Sequence, residues 1–308
     1  MSPPTSRAGR EVVGPVTGEV HLQSAVAAHT GLVREKQEDA HLVLEGIGFA
    51  AVADGMGGHN AGEVASGLAI EALREHFGRV TTGTQPRGIT GFLRRLGGAG
   101  QPGAALAEAI RLANRRILAS ARRNVRHRGM GTTLVTLWLC GERVHFAHVG
   151  DSRIYHWRAG TLRQLTEDHS LLNEYLRLGV ISATEAAGFP HKNVIVRAVG
   201  LSAGLDVDVG QLIVQPEDRF LLCSDGLTDL VDDATICASL ADGDAPELAA
   251  QRLVSHALDA GGIDNVTALV IHVRPNQIPP DAPEVKDDAA PAVADSVDSS
   301  PAPDGHGG

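Results

Sequence analysis

A chain of 308 residues with 43% apolar content can bury one large core, and its formal net charge of −10 argues against nonspecific nucleic-acid binding. No stretch approaches the ~20 apolar residues of a membrane span, and the N-terminus lacks a basic-then-apolar signal pattern, so a cytoplasmic protein without a membrane partner is expected. Three cysteines, Cys140, Cys223 and Cys237, sit in apolar runs without metal-like spacing and read as buried free thiols of a reducing compartment.

Residues 1–22 and 275–308 carry no apolar periodicity and read as disordered; the second segment is rich in Pro, Ala, Asp and Ser. From Arg274 onward seven acids face two bases, so half of the net charge lies there. Within the body, residues 24–28, 40–44 and 49–53 are predicted strands, the third ending at Asp54. Asn60-Ala-Gly-Glu63 resembles a capping box opening a helix with Val64, Leu68, Ala72, Ala65 and Leu73 on one stripe. A glycine-rich stretch, 81–103, precedes a second helix with Leu106, Ile110, Ala113 and Ile117 on one face. Inside that stretch Gly91-Phe-Leu-Arg-Arg-Leu96 reads as a solvated loop in preference to a basic docking motif.

Residues 132–140, 144–149 and 154–157 are closely spaced strands with turns at Gly141-Glu142 and Gly160, expected to pair antiparallel with one another. Residues 167–188 read as irregular helix, Gly179 ending one piece and Ser182-Ala-Thr-Glu185 capping the next. Strands return at 211–214, 219–223 and 266–273, with helices near 232–240 and 246–260. Strands in runs with helices between the runs favour layered antiparallel sheets with helices outside over a βαβ sheet. No Gly-x-Gly-x-x-Gly or Gly-Lys-Ser opens a helix after a strand, which disfavours Rossmann and P-loop proteins.

Five aspartates, Asp39, Asp54, Asp151, Asp225 and Asp264, are spread over this body. Asp54, Asp151 and Asp225 each follow an apolar run (49–53, 145–149, 220–223) and touch or neighbour a glycine. Carboxylates gathered at the rim of a core raise one another's pKa unless hard cations sit between them, so the pattern reads as a divalent-metal site. Asp-Gly is also an ordinary turn dipeptide. Asp242-Gly243, with no strand feeding it, reads as a turn; for Asp54-Gly55 and Asp225-Gly226 both readings stand individually, and their occurrence together with Asp151 and Asp264 favours the site. His145 and His148 fall on opposite faces of one strand and cannot share an ion as a pair.

Eight segments occur in order: Arg34-Glu-Lys-Gln-Glu-Asp39, Ala53-Asp-Gly-Met-Gly-Gly-His59, Met130-Gly-Thr-Thr133, Val149-Gly-Asp-Ser-Arg153, Leu165-Thr-Glu-Asp-His169, Val196-Arg-Ala-Val-Gly200, Cys223-Ser-Asp-Gly-Leu227 and Gly262-Ile-Asp-Asn265. Together they resemble the metal-dependent Ser/Thr protein phosphatase family, type 2C, in its bacterial form, from about residue 32 to 273. The resemblance implies an α+β fold: a four-layer αββα sandwich of two antiparallel sheets flanked by helices, formed by residues 23–274 with a flap at about 166–190. It also implies two Mn²⁺ or Mg²⁺ ions and a third, weaker one. Asp54 would bridge the pair, the Gly55 carbonyl would bind the second ion, and Asp225 and Asp264 the first. Glu38 and Asp39 would hold metal-bound waters, Arg34 would grip the substrate phosphate, and Asp151 with Asp225 would hold the third ion.

The implied reaction is hydrolysis of phosphoserine and phosphothreonine in proteins, substrates of a Ser/Thr kinase, by direct attack of a metal-bridging water or hydroxide, with no serine or cysteine nucleophile. Oxygen-only ligands suit Mn²⁺ or Mg²⁺ better than zinc. Gln37 departs from the Asn usual in bacterial members. Met56 stands where animal members carry a histidine acid, as it does in bacterial relatives, leaving the general acid unassigned; His59 reads as a helix-entry polar residue in preference to a substitute acid. Two alternatives stand beside this reading: a small-phosphoester hydrolase of the same fold, and a phosphoprotein-binding pseudophosphatase, which loss of Asp54, Asp225 or Asp264 would favour; all three acids are present.

Deleting everything after Arg274 is expected to leave turnover of a small phosphoester and the melting temperature unchanged, because a Pro-rich acidic segment adds no core contacts. Calorimetry of the truncated protein checks this; a large fall in melting temperature would show that the segment packs.

Overall fold

Most strands of this chain are apolar at consecutive positions because both of their faces are covered. In the computed structural model, which describes residues 12–13, 20–58, 61–78, 101–186, 188–190 and 194–275, they are β1 (Val12–Val13), β2 (Val20–His29), β3 (Asp39–Leu44), β4 (Phe49–Met56), β5 (Gly131–Thr132), β6 (Leu134–Cys140), β7 (Arg143–Val149), β8 (Arg153–Arg158), β9 (Thr161–Gln164), β10 (Asp208–Ile213), β11 (Arg219–Cys223) and β12 (Val266–Pro275). One sheet runs β1-β2-β12-β11-β8-β9 and the other β10-β7-β6-β4-β3, with β5 added to β4; every described pairing is antiparallel. The helices are α1 (Ala61–Gly78), α2 (Pro102–Arg123), α3 (Leu171–Arg177), α4 (Ala183–Ala186), α5 (Asp225–Thr228), α6 (Asp233–Ala241) and α7 (Pro246–Asp259). All of these lie in one unit, residues 1–276; the second, 277–308, is outside the described residues.

The period-two alternation of a strand sorts side chains into three cores. In β4, Phe49, Ala51 and Ala53 face α1 and α2, whereas Ala50 and Val52 face the other sheet. In β12, Leu269, Ile271 and Val273 meet Ala50 and Val52 between the sheets, and Val266, Ala268 and Val270 pack with Leu253 and Ala257 of α7. The layers are therefore helices, sheet, sheet, helices, the α+β sandwich that the resemblance implies. On the α1 side Phe77 stacks on Phe49 at 4.5 Å between ring centroids and meets Trp138 edge-on at 5.3 Å.

Several details differ from the expectation. The buried stripe of α1 is Ala65, Ala69, Ala72, Leu73 and Phe77, with Val64 and Leu68 only half-buried on its flank. Asn60 and the segment 91–96 lie outside the described residues. The segment at 182–185 forms the acidic half of a capping box: the Ser182 N–H and hydroxyl donate to Glu185 Oε2 at 2.8 and 2.7 Å, while the Glu185 N–H donates to the Ser182 carbonyl. The antiparallel run expected over 132–165 is broken in the middle, because β7 and β8 belong to different sheets. The chain crosses between them at Gly150-Asp151-Ser152, where Gly150 has φ +106° and a Cβ would come within 2.6 Å of Thr133 Cβ. Only glycine makes that turn against Thr133, and the crossover delivers Asp151 to the end of the sandwich.

Phe77→Ala is expected to cost about 3–5 kcal/mol, since it removes a fully buried ring from the α1 core. Chemical denaturation checks this: the midpoint should fall with little change in slope.

Candidate active site

Asp39 opens β3 and lies opposite Asp54 in the β3–β4 register. The backbone at Asp54 is pinned: its N–H donates to Thr133 Oγ1 (3.1 Å), and its carbonyl accepts from the Thr132 hydroxyl and the Thr133 N–H (2.8 Å each). Thr133 Oγ1 is 2.7 Å from Ser152 Oγ, which ties this strand to the crossover carrying Asp151. Asp225 begins α5 directly after β11. The next residue must be glycine, because a Cβ on Gly226 would stand 2.0 Å from the Asn265 carbonyl oxygen. Asp264 precedes β12; its carboxylate accepts from the Asn265 N–H (2.8 Å) and from Arg34 (2.7 Å).

The segment that carries Arg34, Glu38 and Asp39 is not held by apolar packing. Asn265 holds it instead: its Nδ2 donates to the carbonyls of Thr30 and Lys36 (2.8 Å each), and its Oδ1 accepts from the Glu38 N–H (2.6 Å). The Glu38 carbonyl accepts from Ser66 Oγ (2.5 Å) and from the Gly55 N–H (3.2 Å). Gly55 and Gly62 touch so closely that a Cβ on Gly55 would be 2.2 Å from the Gly62 carbonyl oxygen. The longer amide of Gln37 still closes the turn, accepting from the Asp39 N–H at 3.3 Å. Asn265 appears in the sequence only as the last residue of a motif; an amide that bridges three backbone groups has no signature until the loop's path is known. Sequence reasoning likewise missed Ser224 and Thr267, whose hydroxyls donate to Asp39 Oδ2 at 2.8 and 2.7 Å.

Burial pushes Asp39 up to about 7 against those two hydrogen bonds, helped by the charges of Asp225 and Asp264. Burial, then Asp225, Asp168 and Asp229, pushes Asp151 up to about 7. Asp54 stands well above the usual carboxylate range, from burial and then the charges of Asp39 and Asp225, and burial also raises Asp225, which is hydrogen-bonded to Asp54. Asp54 and Asp225 keep part of their surface open to the cleft. Asp39 Oδ1 and Asp151 Oδ1 are buried without a hydrogen-bond partner. Orphaned oxygens within a mutually repelling acidic set fit hard divalent cations, which would discharge the repulsion and accept those lone pairs. The structure thus gathers Asp39, Asp54, Asp151, Asp225 and Asp264, with Glu38 and Gly55 beside them. Arg34 sits at the rim as an exposed ion pair with Asp264. His59 lies outside the described residues.

Beside this cluster, Arg153 binds Asp168 through Nε and Nη2 at 2.7–3.0 Å, so Asp151 is not its partner. Three metal-type ligand atoms lie within 4.8 Å of one another at His148, His169 and Asp208. The protons there argue against an ion. The Gly150 N–H donates to His169 Nδ1 (3.0 Å), and the Arg197 guanidinium stands 3.1 Å from His169 Nε2 and binds Asp208 (3.0 Å), itself 3.3 Å from Nε2, so a cationic group already occupies the space between them. Burial, with His148 and Arg197 nearby, pushes His169 down to about 4 and keeps it neutral. This group ties the start of the expected flap to β7 and β10.

A family model described as Protein phosphatase 2C matches residues 29–260. The chain is similar to serine/threonine phosphatase stp of Listeria welshimeri, at 37% identity over 244 residues, 78% of this chain and 92% of the relative. It is 39% identical over 256 residues to the serine/threonine protein phosphatase PstP of Mycobacterium tuberculosis, covering 82% of this chain and 45% of that one. The crystal structure of the M. tuberculosis phosphatase matches with a TM-score of 0.71 at 36% identity, covering 83% and 99% of the two chains. A structure of the PstP catalytic domain with two manganese ions matches at 0.69 and 35% identity, covering 83% and 100%.

Without cations, Asp39 and Asp151 hold protons in the folded state that they release on unfolding, because their folded pKa values are raised. That stabilisation is complete below about pH 4, the unfolded carboxylate range, and is lost as pH rises through about 7. The chelated protein is therefore expected to melt lower at pH 7.5 than at pH 5, and Mn²⁺ to raise the melting temperature most at the higher pH, by the equivalent of about 2.7 kcal/mol at a hundred times its Kd. Thermal scans with chelator and with Mn²⁺ check both signs.

Proposed function

The chain belongs to the Protein phosphatase 2C family and is a metal-dependent serine/threonine phosphatase; on that premise we propose that its acidic cluster holds the catalytic cations and that its substrates are phosphorylated proteins produced by a Ser/Thr kinase. The observation that carries the assignment is the convergence of Asp39, Asp54, Asp151 and Asp225 with two orphaned, buried carboxylate oxygens. In this assignment Asp54 would hold both cations of a pair, with the Gly55 carbonyl beside it on one of them; Asp225 and Asp264 would hold the other, and Asp151 with Asp225 a third. Oxygen donors alone favour Mn²⁺ or Mg²⁺. When bound, such ions acidify water and neutralise phosphoryl charge.

The protein's own groups do the rest. Ser224 and Thr267 fix Asp39 Oδ2 and leave Oδ1 to receive a proton or orient a water. Arg34, about half exposed, can leave Asp264 to take two phosphoryl oxygens with its planar guanidinium. The free cysteines, Cys140, Cys223 and Cys237, support a cytoplasmic setting, and no described helix is long and apolar enough to cross a membrane.

Asp225→Asn is expected to lower Mn²⁺-dependent turnover of a phosphothreonine peptide by several orders of magnitude while the far-ultraviolet spectrum is unchanged. With chelator present its melting temperature at pH 7.5 should exceed that of the wild type, because one charge has left the repelling set. Near wild-type activity in the folded variant would overturn the assignment.

A further inference from the structure

The end of α2 and the turn that follows hold four arginines in seven residues, Arg122, Arg123, Arg126 and Arg128, with no acid among them, in a chain of net charge −10. All four are exposed, and Val125 in their midst is 71% exposed. Of the three earlier arginines of the same helix two are paired, Arg115 with Glu108 and Arg116 with Glu75; among the described residues these four have no ion pair. Arg122 and Arg123 suit the negative end of a helix dipole, but Arg126 and Arg128 lie beyond that end and gain nothing from it.

The turn that presents them is built. The Asn124 side chain accepts from the Arg126 N–H (3.0 Å) and contacts His127 Nε2 (3.0 Å), while Ser120 Oγ meets His127 Nδ1 (2.9 Å). The Arg128 and Met130 N–H groups donate to the Val125 and His127 carbonyls. The polar side chains of the turn are thus spent on its own closure, and the guanidinium groups are left facing solvent.

The turn also leads directly to the acidic cluster. Thr132, four residues after Arg128, pairs with Gly55 in β5–β4 and donates its hydroxyl to the Asp54 carbonyl. Four residues span at most about 14 Å, so the backbone of Arg128, the nearest of the four, stands within about four residues of extended peptide from the strand beside the acidic cluster. A phosphoprotein segment rich in acids is repelled by this protein as a whole and attracted here.

We infer that Arg122, Arg123, Arg126 and Arg128 form a docking patch for an anionic stretch of the phosphoprotein substrate, made of aspartate, glutamate or further phosphorylated residues about four or more positions from the residue being dephosphorylated. The inference rests on the protein-phosphatase reading. The patch sets substrate preference and approach rate and takes no part in the chemical step.

The test uses the full chain with Mn²⁺ and three kinds of substrate: p-nitrophenyl phosphate, phosphothreonine peptides with a run of glutamates on the N-terminal or the C-terminal side, and the same peptides with glutamines. For one of the two placements the wild type is expected to favour the glutamate peptide by about tenfold in kcat/KM at low ionic strength, and the ratio should approach one at about 0.5 M salt. The variant carrying R122Q, R123Q, R126Q and R128Q should show a ratio near one with unchanged turnover of p-nitrophenyl phosphate. R126Q and R128Q singly, both outside the helix, should each lose part of the preference and keep the proposal testable if the fourfold variant does not fold. Equal rates on glutamate and glutamine peptides in the wild type, or a preference that survives the substitutions, would overturn the docking patch and leave the phosphatase reading standing. Turnover of p-nitrophenyl phosphate with no hydrolysis of any peptide would overturn both. Salt-sensitive binding of a single-stranded RNA, lost in the variants and accompanied by equal peptide rates, would assign the patch to nucleic acid and overturn the inference.

Discussion

Four carboxylates, Asp39, Asp54, Asp151 and Asp225, are gathered at one end of the molecule, where burial first and neighbouring acids second raise their pKa values, and this end is arranged around the cost of keeping them charged. An acid free to move would turn into solvent or take up a proton. Three of them cannot move far, because each is tied at its backbone or its carboxylate. Asp54 is fixed by Thr132 and Thr133, Asp39 by Ser224 and Thr267, and Asp225 by the contact of Gly226 with the Asn265 carbonyl. Under the proposed assignment, repulsion that cannot relax by movement would be relieved by bound cations, and the electrostatic strain would become affinity for metal.

The anchors come from both sheets, and this couples the site to the closure of the sandwich. Thr267 lies in β12 and Ser224 directly follows β11, while Asp39 and Asp54 belong to the sheet of β3 and β4. The core between the sheets, from Val52 and Val135 to Leu222 and Leu269, sets their separation. A shift there would move hydroxyl donors away from Asp39 Oδ2 before any acid was touched. The loop of residues 30–38 lacks such a core and depends on the Asn265 amide, whose two N–H groups and carbonyl oxygen are all engaged with it.

How much of this could be read without coordinates follows from which interactions are local. Apolar runs ending in Asp-Gly mark strands that deliver acids, and the layered sandwich follows from strands apolar at consecutive positions with helices between their runs. The crossover at Gly150 was not legible, because the four residues between the predicted strands, 150–153, suit a hairpin as well as a change of sheet; a positive φ and the contact with Thr133 decide it. Asn265, Ser224 and Thr267 act through partners up to more than two hundred residues away, and their chemistry, an amide and two hydroxyls, is unremarkable in a linear pattern. His148 was legible only as no partner for His145; that it stacks on His169 at 4.7 Å depends on the path of residues 165–170.

The cleft has a stiff side and a yielding side, and the ion pairs show which is which. Arg153 and Asp168 are largely buried, joined by three hydrogen bonds, so opening that pair would leave a charge without solvent or partner. Arg34 and Asp264 are 52% and 35% exposed, and such a pair contributes about 0.2–1 kcal/mol. A phosphate dianion offers Arg34 more charge than Asp264 does, so under the proposed assignment the exchange of partners costs little on the protein's side. Freed of Arg34, the Asp264 carboxylate loses its counter-charge beside Asp225 and Asp39, where a cation gains most from it. Substrate binding and metal binding then support each other through one half-exposed ion pair, while the frame beneath it stays still.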